Sequence, residues 1–430
     1  MSNRTTIPSS FAQKDCDRVA GLFAQIATRT ADTQGVSRPA YSEIETETIN
    51  FLIDFARKNG LEVEFDAAAN ALFSLPEDRN AEKYVLVGSH ADSVPNGGNF
   101  DGLAGILAGL ICLVRAREEG RKFARPVKVI ALRGEESAWY GPCYIGSKAL
   151  FGLLGANELG ALHKGDQRPL SAHMADSGID MKPVKAGQKL FDPSRLLAYV
   201  EVHIEQGPLL VNKDLPVANV SGIRGNIRHK AITCIGEAGH SGAVPRAYRR
   251  DPVLAMADLF TRLDDDWDTI LQKGDDLVLT SGVVGTDPQK HAIARIPDSI
   301  SFSLDVRSQD VETLDSMRDL LRAHMRIVER NRKIRFEMDD ELSVAPALCD
   351  ADIVAGISAA MRRLGYEDYV MPSGAGHDAA VFANNGVPTG MIFIRNRNGS
   401  HNPHEAMEMD DFMAASSVLY DYLTFDDGAA

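Results

Sequence analysis

Short apolar runs alternate with helix-spaced apolar residues along most of the chain. The clearest run, residues 84–89, is rich in β-branched residues and is interpreted as a buried strand that ends at His90 and Asp92. A glycine-rich loop then leads through Asp101 into an apolar helix over about 102–117. Further apolar runs of this kind lie at 127–132, 196–204, 368–371 and 388–394. This alternation predicts an α/β fold with a doubly wound sheet.

A different pattern interrupts this alternation. Its order is strand, strand, helix, strand, strand, helix, strand, which predicts a smaller α+β (ferredoxin-like) insert with an exposed antiparallel sheet. The predicted elements are strands near 216–224, 227–236, 277–285, 293–306 and 333–338 and helices at 251–272 and 310–330. We therefore predict a doubly wound, mixed-sheet α/β domain in two segments, 1–213 and 342–430, interrupted by the insert at 214–341.

Composition narrows the class of protein. The 430 residues include 46 Lys and Arg and 60 Asp and Glu, and the formal net charge of −14 argues against a nucleic-acid or anionic-membrane partner. The five cysteines are widely spaced and form no CxxC motif, which suits a reducing compartment. The first residues contain no apolar targeting segment, and no run approaches the roughly 20 apolar residues of a membrane span. We therefore expect a cytoplasmic protein.

Four predicted strand ends carry side chains that can bind metal ions. These side chains are His90, Asp92, Asp101, Glu135, Glu136, His203, Glu205 and His401. The carboxyl ends of parallel strands converge at one sheet edge, and imidazole with carboxylate suits divalent transition metals. Each residue alone has an ordinary alternative, such as a helix cap, an acidic surface turn or a packed core histidine. Together they are enough for two metal ions that share a carboxylate.

The adjacent Glu135 and Glu136 suggest a division of labour. On an extended backbone they would point to opposite sides, so that one could bind a metal ion while the other reaches a water molecule. Two metal ions would hold a bridging hydroxide, and Glu135 or Asp92 could act as general base or orient a ligand. Competing chemistries fit poorly, because the sequence contains no HExxH, GxSxG, Walker or GxGxxG motif.

Seven ordered motifs resemble those of a known family. They are GSHADSVPNGGNFDG, GEES, EVHIEQGP, GHSGAVPRAYRRDP, DVR, SGAGHDA and GSHNPHE. They are similar to motifs of the di-metal amidohydrolases related to aminoacylases and zinc carboxypeptidases. HIEQGP and SGAGHDA resemble the hydantoinase/carbamoylase branch, which includes N-carbamoyl-L-amino acid hydrolase, allantoate amidohydrolase and β-ureidopropionase. The resemblance extends from about residue 16 to 423.

The resemblance implies a role for each matching residue in a metal centre. His90, Asp101 and His203 would hold one divalent ion. Asp101 would bridge to a second ion, held also by Glu136 and His401. Zinc is the first expectation, with manganese, cobalt and nickel as alternatives that accept the same ligands.

The resemblance also implies catalytic and substrate-binding residues. Glu135 would be general base and then proton donor, and Asp92 would orient His90. His240 would be supplied by the partner subunit of a homodimer and would stabilise the oxyanion. The homodimer would form through the insert, which would thus serve the catalytic domain as a dimerisation and lid domain. The substrate-binding residues would be Gln206, Arg307, which would bind a carboxylate, and the backbone at Gly376. The alternatives are a surface salt bridge for Arg307 and a simple loop position for His240.

Several positions depart from the pattern of the branch. Residues 137–140 replace an expected Gly and Arg-Phe-like pair, and Trp139 and Tyr140 would line a wider or more aromatic pocket. Ala294 stands where an Asn is expected, and residues 243–246 differ as well. These changes affect predicted substrate contacts and leave the predicted metal ligands intact.

We therefore predict a metal-dependent hydrolase that cleaves a linear amide or ureido C–N bond in an N-carbamoyl, or similarly substituted, amino-acid-like carboxylate. One alternative is an aminoacylase or dipeptidase on the same scaffold, which Ala294 favours. Another is a non-catalytic, metal-stabilised binding protein. Glu135 argues against that alternative, because a structural metal site has no use for a spare base.

Overall fold

The computed structural model describes residues 11–425, so residues 1–10 and 426–430 of the predicted terminal segments lie outside the described residues. The described chain forms two compact units. The first contains residues 11–222 and 348–425, and the second contains Ile223–Ala347. None of the helices between residues 11 and 425 combines the length and the apolar character that a bilayer span requires.

The strands, in chain order, are β1 (Glu62–Phe65), β2 (Ala71–Ser74), β3 (Tyr84–His90), β4 (Val127–Leu132), β5 (Leu196–Ile204), β6 (Val217–Ile223), β7 (Gly225–Ile235), β8 (Gly239–His240), β9 (Val278–Thr280), β10 (Val284–Gly285), β11 (Arg295–Ile296), β12 (Ser299–Ser308), β13 (Arg335–Met338), β14 (Leu342–Val344), β15 (Ala347–Leu348), β16 (Val370–Ser373) and β17 (Thr389–Ile394). The α-helices are α1 (Gln13–Arg29), α2 (Glu43–Lys58), α3 (Leu103–Glu119), α4 (Ile145–Phe151), α5 (Ala156–Leu159), α6 (Leu170–Asp176), α7 (Met181–Lys185), α8 (Leu209–Lys213), α9 (Pro252–Gln272), α10 (Val311–Arg332), α11 (Ala351–Arg363), α12 (Asp378–Asn384) and α13 (Met409–Thr424).

The sheet of the first unit is mixed. Its strand order is β1-β2-β4-β3-β5-β17-β6-β15, with β16 paired to β6. The four central strands β4, β3, β5 and β17 are parallel neighbours, whereas β2 and β6 run antiparallel to this group. This topology, together with the helices that connect its strands, confirms the prediction of an α/β fold with a mixed sheet.

Helix α3 is packed tightly beside the central strands. Nearly all of its residues are apolar and buried, as expected for a helix enclosed on every side. Gly105 permits this close approach, because a Cβ at that position would lie 2.1 Å from the backbone oxygen of Val202 on β5. The start of α3, and with it Asp101, is thereby held against the ends of β3 and β5.

The second unit contains an antiparallel sheet and two long helices. The sheet order is β10-β12-β7-β13, with β14 paired to β7 and β9 paired to β12. Helices α9 and α10 pack on it around a core that includes Phe302. Asp251 and Asp310 cap the first turns of these helices with their side chains, which accounts for where each helix begins.

The structure differs from the predicted elements in several regions. The strand predicted near 216–224 as the first of the insert is β6, which pairs with β17 in the sheet of the first unit. The apolar runs 277–285 and 293–306 were each expected to form one strand, but each is divided into two. In the second run the division falls at Pro297, which lacks the N–H needed to continue a ladder. Residues 137–195, whose sequence shows only short helical patterns and turn residues without clear bounds, form the short helices α4 to α7.

Candidate metal centre and active site

Two histidines at the ends of neighbouring parallel strands direct the same ring nitrogen toward each other. His90 closes β3, and its Nδ1 lies 3.2 Å from the backbone oxygen of Asp92. His203 lies near the end of β5, and its Nδ1 lies 2.9 Å from the backbone oxygen of Ile204. Nδ1–H therefore donates in each ring, which leaves both Nε2 atoms as acceptors. Nε2 of His203 accepts the backbone N–H of Gly102 at 3.2 Å. The two Nε2 atoms are 3.5 Å apart.

Asp101 directs its two carboxylate oxygens at two different groups of ligands. Oδ1 lies 3.3 Å from Nε2 of His90 and 3.1 Å from Nε2 of His203. Oδ2 lies 3.6 Å from Nε2 of His401 and accepts a 2.8 Å hydrogen bond from Nε2 of Gln206. This division is what a carboxylate that bridges two cations requires.

The second group is completed by Glu136 and His401. Their Oε1 and Nε2 atoms are 3.2 Å apart, and with an oxygen of Asp101 they fall within 4.8 Å of one another. The hydrogen bond with Glu136 raises the pKa of His401 to about 9. The side chain of His401 is 53% exposed, whereas Asp101 and Glu136 are buried, so the second group lies at the solvent-accessible side of the cluster.

Glu135 and Glu136 both turn toward His90. One carboxylate oxygen of each glutamate and a ring nitrogen of His90 lie within 4.8 Å of one another, and Oε2 of Glu135 is 4.0 Å from Nε2 of His90. The expectation of opposite directions was wrong, because β4 ends at Leu132 and strand alternation stops there. Burial raises the pKa of Glu135 well above its usual range, and the nearby Glu136 raises it further.

The cluster fits two divalent ions. One group offers two imidazole nitrogens and a carboxylate oxygen, and the other offers one imidazole nitrogen and two carboxylates. Both sets suit zinc and related transition metals, which prefer such nitrogen and oxygen donors.

Asp92 contacts both predicted parts of the site. Its Oδ1 is 3.4 Å from Nδ1 of His90, in keeping with the predicted position beside that ring. Its two oxygens also accept the backbone N–H groups of Glu135 and Glu136, each at 3.0 Å. One fully buried carboxylate therefore supports the histidine and the glutamate pair together.

Glu405 supports Asp101, a role that the sequence did not predict. The backbone N–H groups of Phe100 and Asp101 donate to Oε1 of Glu405 at 2.8 and 3.2 Å. The hydroxyl of Ser400 contacts both Asp101 and Glu405. Burial raises the pKa of Glu405 to about 7. The nearest sequence signal was its position in GSHNPHE, four residues after His401.

Arg38 places a fully buried positive charge beside the acidic cluster. Its Nε donates to the backbone oxygen of Ala91 at 2.8 Å, and its Nη1 donates to Oδ1 of Asn99 at 3.1 Å. Burial lowers the pKa of Arg38, while Asp92 and Glu405 oppose that shift. The guanidinium thus fixes the loop between His90 and Asp101 at both ends. Arg38 belongs to none of the sequence motifs, so the sequence did not indicate this role.

Glu201 and His377 form a further buried group against His203. Glu201 accepts from the Ser89 hydroxyl at 2.7 Å, and His377 packs edge-on against the His203 ring at 4.5 Å. Donor atoms of Glu201, His203 and His377 lie within 4.8 Å of one another. Burial lowers the pKa of His377 well below its usual range, so its ring is neutral. The sequence did contain a signal for His377, because this residue lies within the SGAGHDA motif.

The remaining predicted residues of the first unit lie around this cluster. Gln206, held in a left-handed conformation at φ 63°, reaches Asp101 as described above. Gly376 lies in the exposed loop before α12. A Cβ at this glycine would lie 1.7 Å from the hydroxyl oxygen of Tyr144.

The aromatic pair after Glu136 packs differently from the prediction. The Trp139 indole donates to the backbone oxygen of Ser93 at 2.7 Å and stacks on the His163 ring, with centroids 5.5 Å apart. Tyr140 is only 6% exposed and packs against His163 and His173. Tyr140 is therefore a packing residue, and Trp139 connects the glutamate turn to the loop that follows His90.

The other predicted residues belong to the second unit. His240 is exposed on β8, and its Nδ1 accepts the backbone N–H of Gly242 at 3.1 Å, which leaves Nε2–H as the donor of the neutral ring. Arg307 lies on β12, where its guanidinium donates to Asp305, with Nη2 at 2.8 Å. Ala294 is exposed and accepts the N–H of Ser241 through its backbone oxygen.

Comparison with known proteins places this chain in a family. The model of peptidase family M20/M25/M40 matches residues 86–424, which include every ligand of the cluster. The chain belongs to this family. The predicted resemblance is thus confirmed, and this M20-family chain is a hydrolytic enzyme, as predicted.

Named relatives and solved structures cover nearly the whole chain. N-carbamoyl-L-amino acid amidohydrolase from Geobacillus stearothermophilus is 34% identical over 392 residues, which is 90% of this chain and 92% of that protein. Allantoate amidohydrolase from Escherichia coli K12 is 32% identical and covers 90% of this chain and 91% of its own length. A solved amidase of the hydantoinase/carbamoylase family from Burkholderia multivorans superposes with a TM-score of 0.84 at 26% identity, covering 95% of this chain and 97% of that one.

Proposed function

We propose that this M20-family enzyme uses two divalent ions to hydrolyse a linear amide or ureido C–N bond in an N-carbamoyl, or similarly substituted, amino-acid-like carboxylate. The observation that carries the proposal is the position of Asp101 between two ligand groups. The carboxylate of Glu135 lies beside them and belongs to neither group. The names of the relatives from Geobacillus stearothermophilus and Escherichia coli support the amide substrate class.

The residues of the cluster would divide the work. His90, Asp101 and His203 would hold one ion, and Asp101, Glu136 and His401 the other. Bound zinc, manganese, cobalt or nickel would polarise the substrate carbonyl and lower the pKa of water, with zinc the first expectation.

Glu135 would accept the proton of the attacking water and deliver it to the leaving nitrogen. Its raised pKa suits both steps, because a carboxyl group with a pKa nearer neutrality holds a proton long enough to return it. Asp92 would keep His90 in the required tautomer through its backbone oxygen, which accepts from Nδ1. Its carboxylate would hold Glu135 in position by accepting the backbone N–H of that residue.

Substrate binding would use the residues that the sequence motifs imply. Gln206 and the backbone at Gly376 would contact the substrate, and Arg307 would bind its carboxylate, a task that suits a guanidinium. Nε2–H of His240 would donate to the oxyanion from the partner subunit of a homodimer formed through the insert. The free thiols of all five cysteines suit the reducing cytoplasm that we propose as its compartment.

One observation favours a second candidate, an aminoacylase or dipeptidase on the same scaffold. Ala294 stands where the carbamoylase branch carries Asn, and its methyl group supplies no hydrogen bond to a ureido group. The two candidates differ in their products. A carbamoyl substrate yields amine, ammonia and carbon dioxide, whereas an acyl substrate yields amine and a carboxylic acid.

The test is to incubate metal-loaded protein with N-carbamoyl-L-amino acids, allantoate, ureidopropionate and N-acetyl-amino acids, and to measure ammonia and free amine together. Ammonia rising with amine supports the proposal, amine alone supports the second candidate, and no product from any compound refutes both. Glu135→Gln should abolish turnover with both ions retained, whereas Glu62→Gln, at an exposed ion pair, should leave it unchanged.

The trans role of His240 has its own test. His240→Ala and Glu135→Gln chains should each be inactive alone. If His240 acts across a dimer, mixing them should restore part of the activity, because one site of each mixed dimer has both native residues. Lack of restoration in proven mixed dimers would contradict it.

A further inference from the structure

The segment that carries Glu135 and Glu136 is held by buried side chains at every backbone N–H. Four successive amides each donate to a side-chain oxygen, and all the acceptors are fully buried. In order, the bonds are Arg133 to Asn70 Oδ1 (3.0 Å), Gly134 to Glu45 Oε1 (3.1 Å), Glu135 to Asp92 Oδ1 (3.0 Å) and Glu136 to Asp92 Oδ2 (3.0 Å). We call this set of acceptors, Glu45, Asn70 and Asp92, the amide clamp.

The carbonyls of the same segment are also paired. The oxygens of residues 133, 134 and 135 accept the N–H groups of residues 146, 145 and 144 at 2.8, 2.8 and 2.9 Å. Gly146 allows the two backbones to lie this close, because a Cβ there would be 2.6 Å from the oxygen of Arg133. The backbone before the general base is therefore constrained on both sides.

Glu45 is the member of the clamp whose charge has a dedicated partner. It lies on α2, and its carboxylate accepts from Nε of Arg133 at 2.6 Å, from N of Tyr41 at 2.8 Å and from N of Gly134. Arg133 is only 4% exposed. A buried carboxylate is tolerated when it is paired and its oxygens are hydrogen-bonded, and both conditions are met here.

We infer that Glu45 and Arg133 are positioning residues for the general base Glu135. The pair connects α2 to the peptide directly before Glu135, so it sets where the carboxylates of the glutamate turn can lie. Reacting groups must be held within about 0.5 Å, and a displacement of about 1 Å costs roughly 10²-fold in rate. This inference rests on the proposed function for its catalytic consequence, but the clamp can be tested in the metal-free chain as well.

The first experiment is hydrogen exchange on the full metal-free chain. Glu45→Gln keeps one acceptor but places an amide NH₂ among N–H donors, so exchange in peptides covering 133–136 should speed up about tenfold or more. The matched control is Ile357→Ala, which removes a fully buried core side chain of α11. That control should lower stability and leave exchange at 133–136 like the wild type. Unchanged exchange in Glu45→Gln would overturn the inference.

The second experiment separates positioning from stability in metal-loaded enzyme. Glu45→Gln should retain two ions per chain and a KM within about twofold, while kcat falls about 10²-fold. The double variant Glu45→Gln with Arg133→Met removes the unpaired buried charge and should regain Tm without regaining kcat. A kcat loss no larger than that of Ile357→Ala, or one recovered along with Tm, would show a purely structural role. If the wild type is inactive, the proposed function fails. The exchange experiment still shows whether Glu45 constrains the backbone of residues 133–136.

Discussion

Removal of divalent ions should lower the melting temperature of the first unit. The ligands of the two groups come from chain positions as distant as His90 and His401, so only the folded chain assembles them. An ion that binds only the native state stabilises it by about 2.7 kcal/mol at a free concentration of 100 times Kd. Two ions should therefore contribute about 5 kcal/mol.

That free energy converts into a measurable shift. The first unit contains roughly 290 described residues, and unfolding entropy is about 2.1 cal/mol/K per residue near 60 °C. The entropy of unfolding is then about 0.6 kcal/mol/K, and two ions should raise Tm by about 9 °C. Scanning calorimetry of chelator-treated protein, titrated separately with zinc, manganese, cobalt and nickel, measures this shift.

Two variants make the measurement specific to the cluster. His90→Ala removes a ligand of the first group and should lose about half of the shift. His173→Ala alters a buried histidine that packs against Tyr140, outside the cluster, and should keep the whole shift. The reasoning is refuted if no metal raises Tm, or if His90→Ala responds as strongly as the wild type.

Three further predictions concern other parts of the molecule. Gly376→Ala should raise KM about tenfold, because the new Cβ meets the Tyr144 hydroxyl at 1.7 Å, and adding Tyr144→Phe should restore much of the loss in steady-state assays. The affinity for the ion at His401 should rise about tenfold per pH unit from pH 7 toward pH 9 and then level off. The ring is protonated below its pKa of about 9 and must lose that proton to bind the ion. Competition with a chelator at several pH values measures this affinity. Phe302→Ala should destabilise the second unit by about 3–5 kcal/mol in urea denaturation without changing the metal-dependent shift, because its ring is buried beside Phe260.

Elements with a single dominant pattern could be predicted from the sequence. The run 84–89 corresponds to β3 within one residue, because a central parallel strand is buried on both faces and is apolar throughout. The helix expected at 310–330 is α10, whose start is set by the Asp310 cap. The short helices between 137 and 195 have four to seven residues each, too few to establish a helical period.

The same distinction applies to the site. The ligand histidines and carboxylates could be predicted because strand ends of a parallel sheet converge. Glu45 could not, because Ser42 and Glu45 have the spacing of a capping box, which explains Glu45 without any role elsewhere. In the structure its carboxylate reaches Arg133 and Gly134, nearly 90 positions further along the chain. Arg38 could not be predicted either, because its partners Ala91 and Asn99 are more than 50 positions away and are brought to it only by folding.

The position of β17 has a consequence for how the protein is made. β17 lies between β5 and β6, yet it is synthesised about 170 residues after them. A nascent chain that has emerged only as far as the second unit would expose the pairing edge of β5 and would lack His401 and Glu405. Such an exposed edge invites association with other chains. Complete metal loading must therefore wait until His401 has been synthesised, and chains terminated before that residue should be cleared by proteolysis rather than accumulate as partly active enzyme.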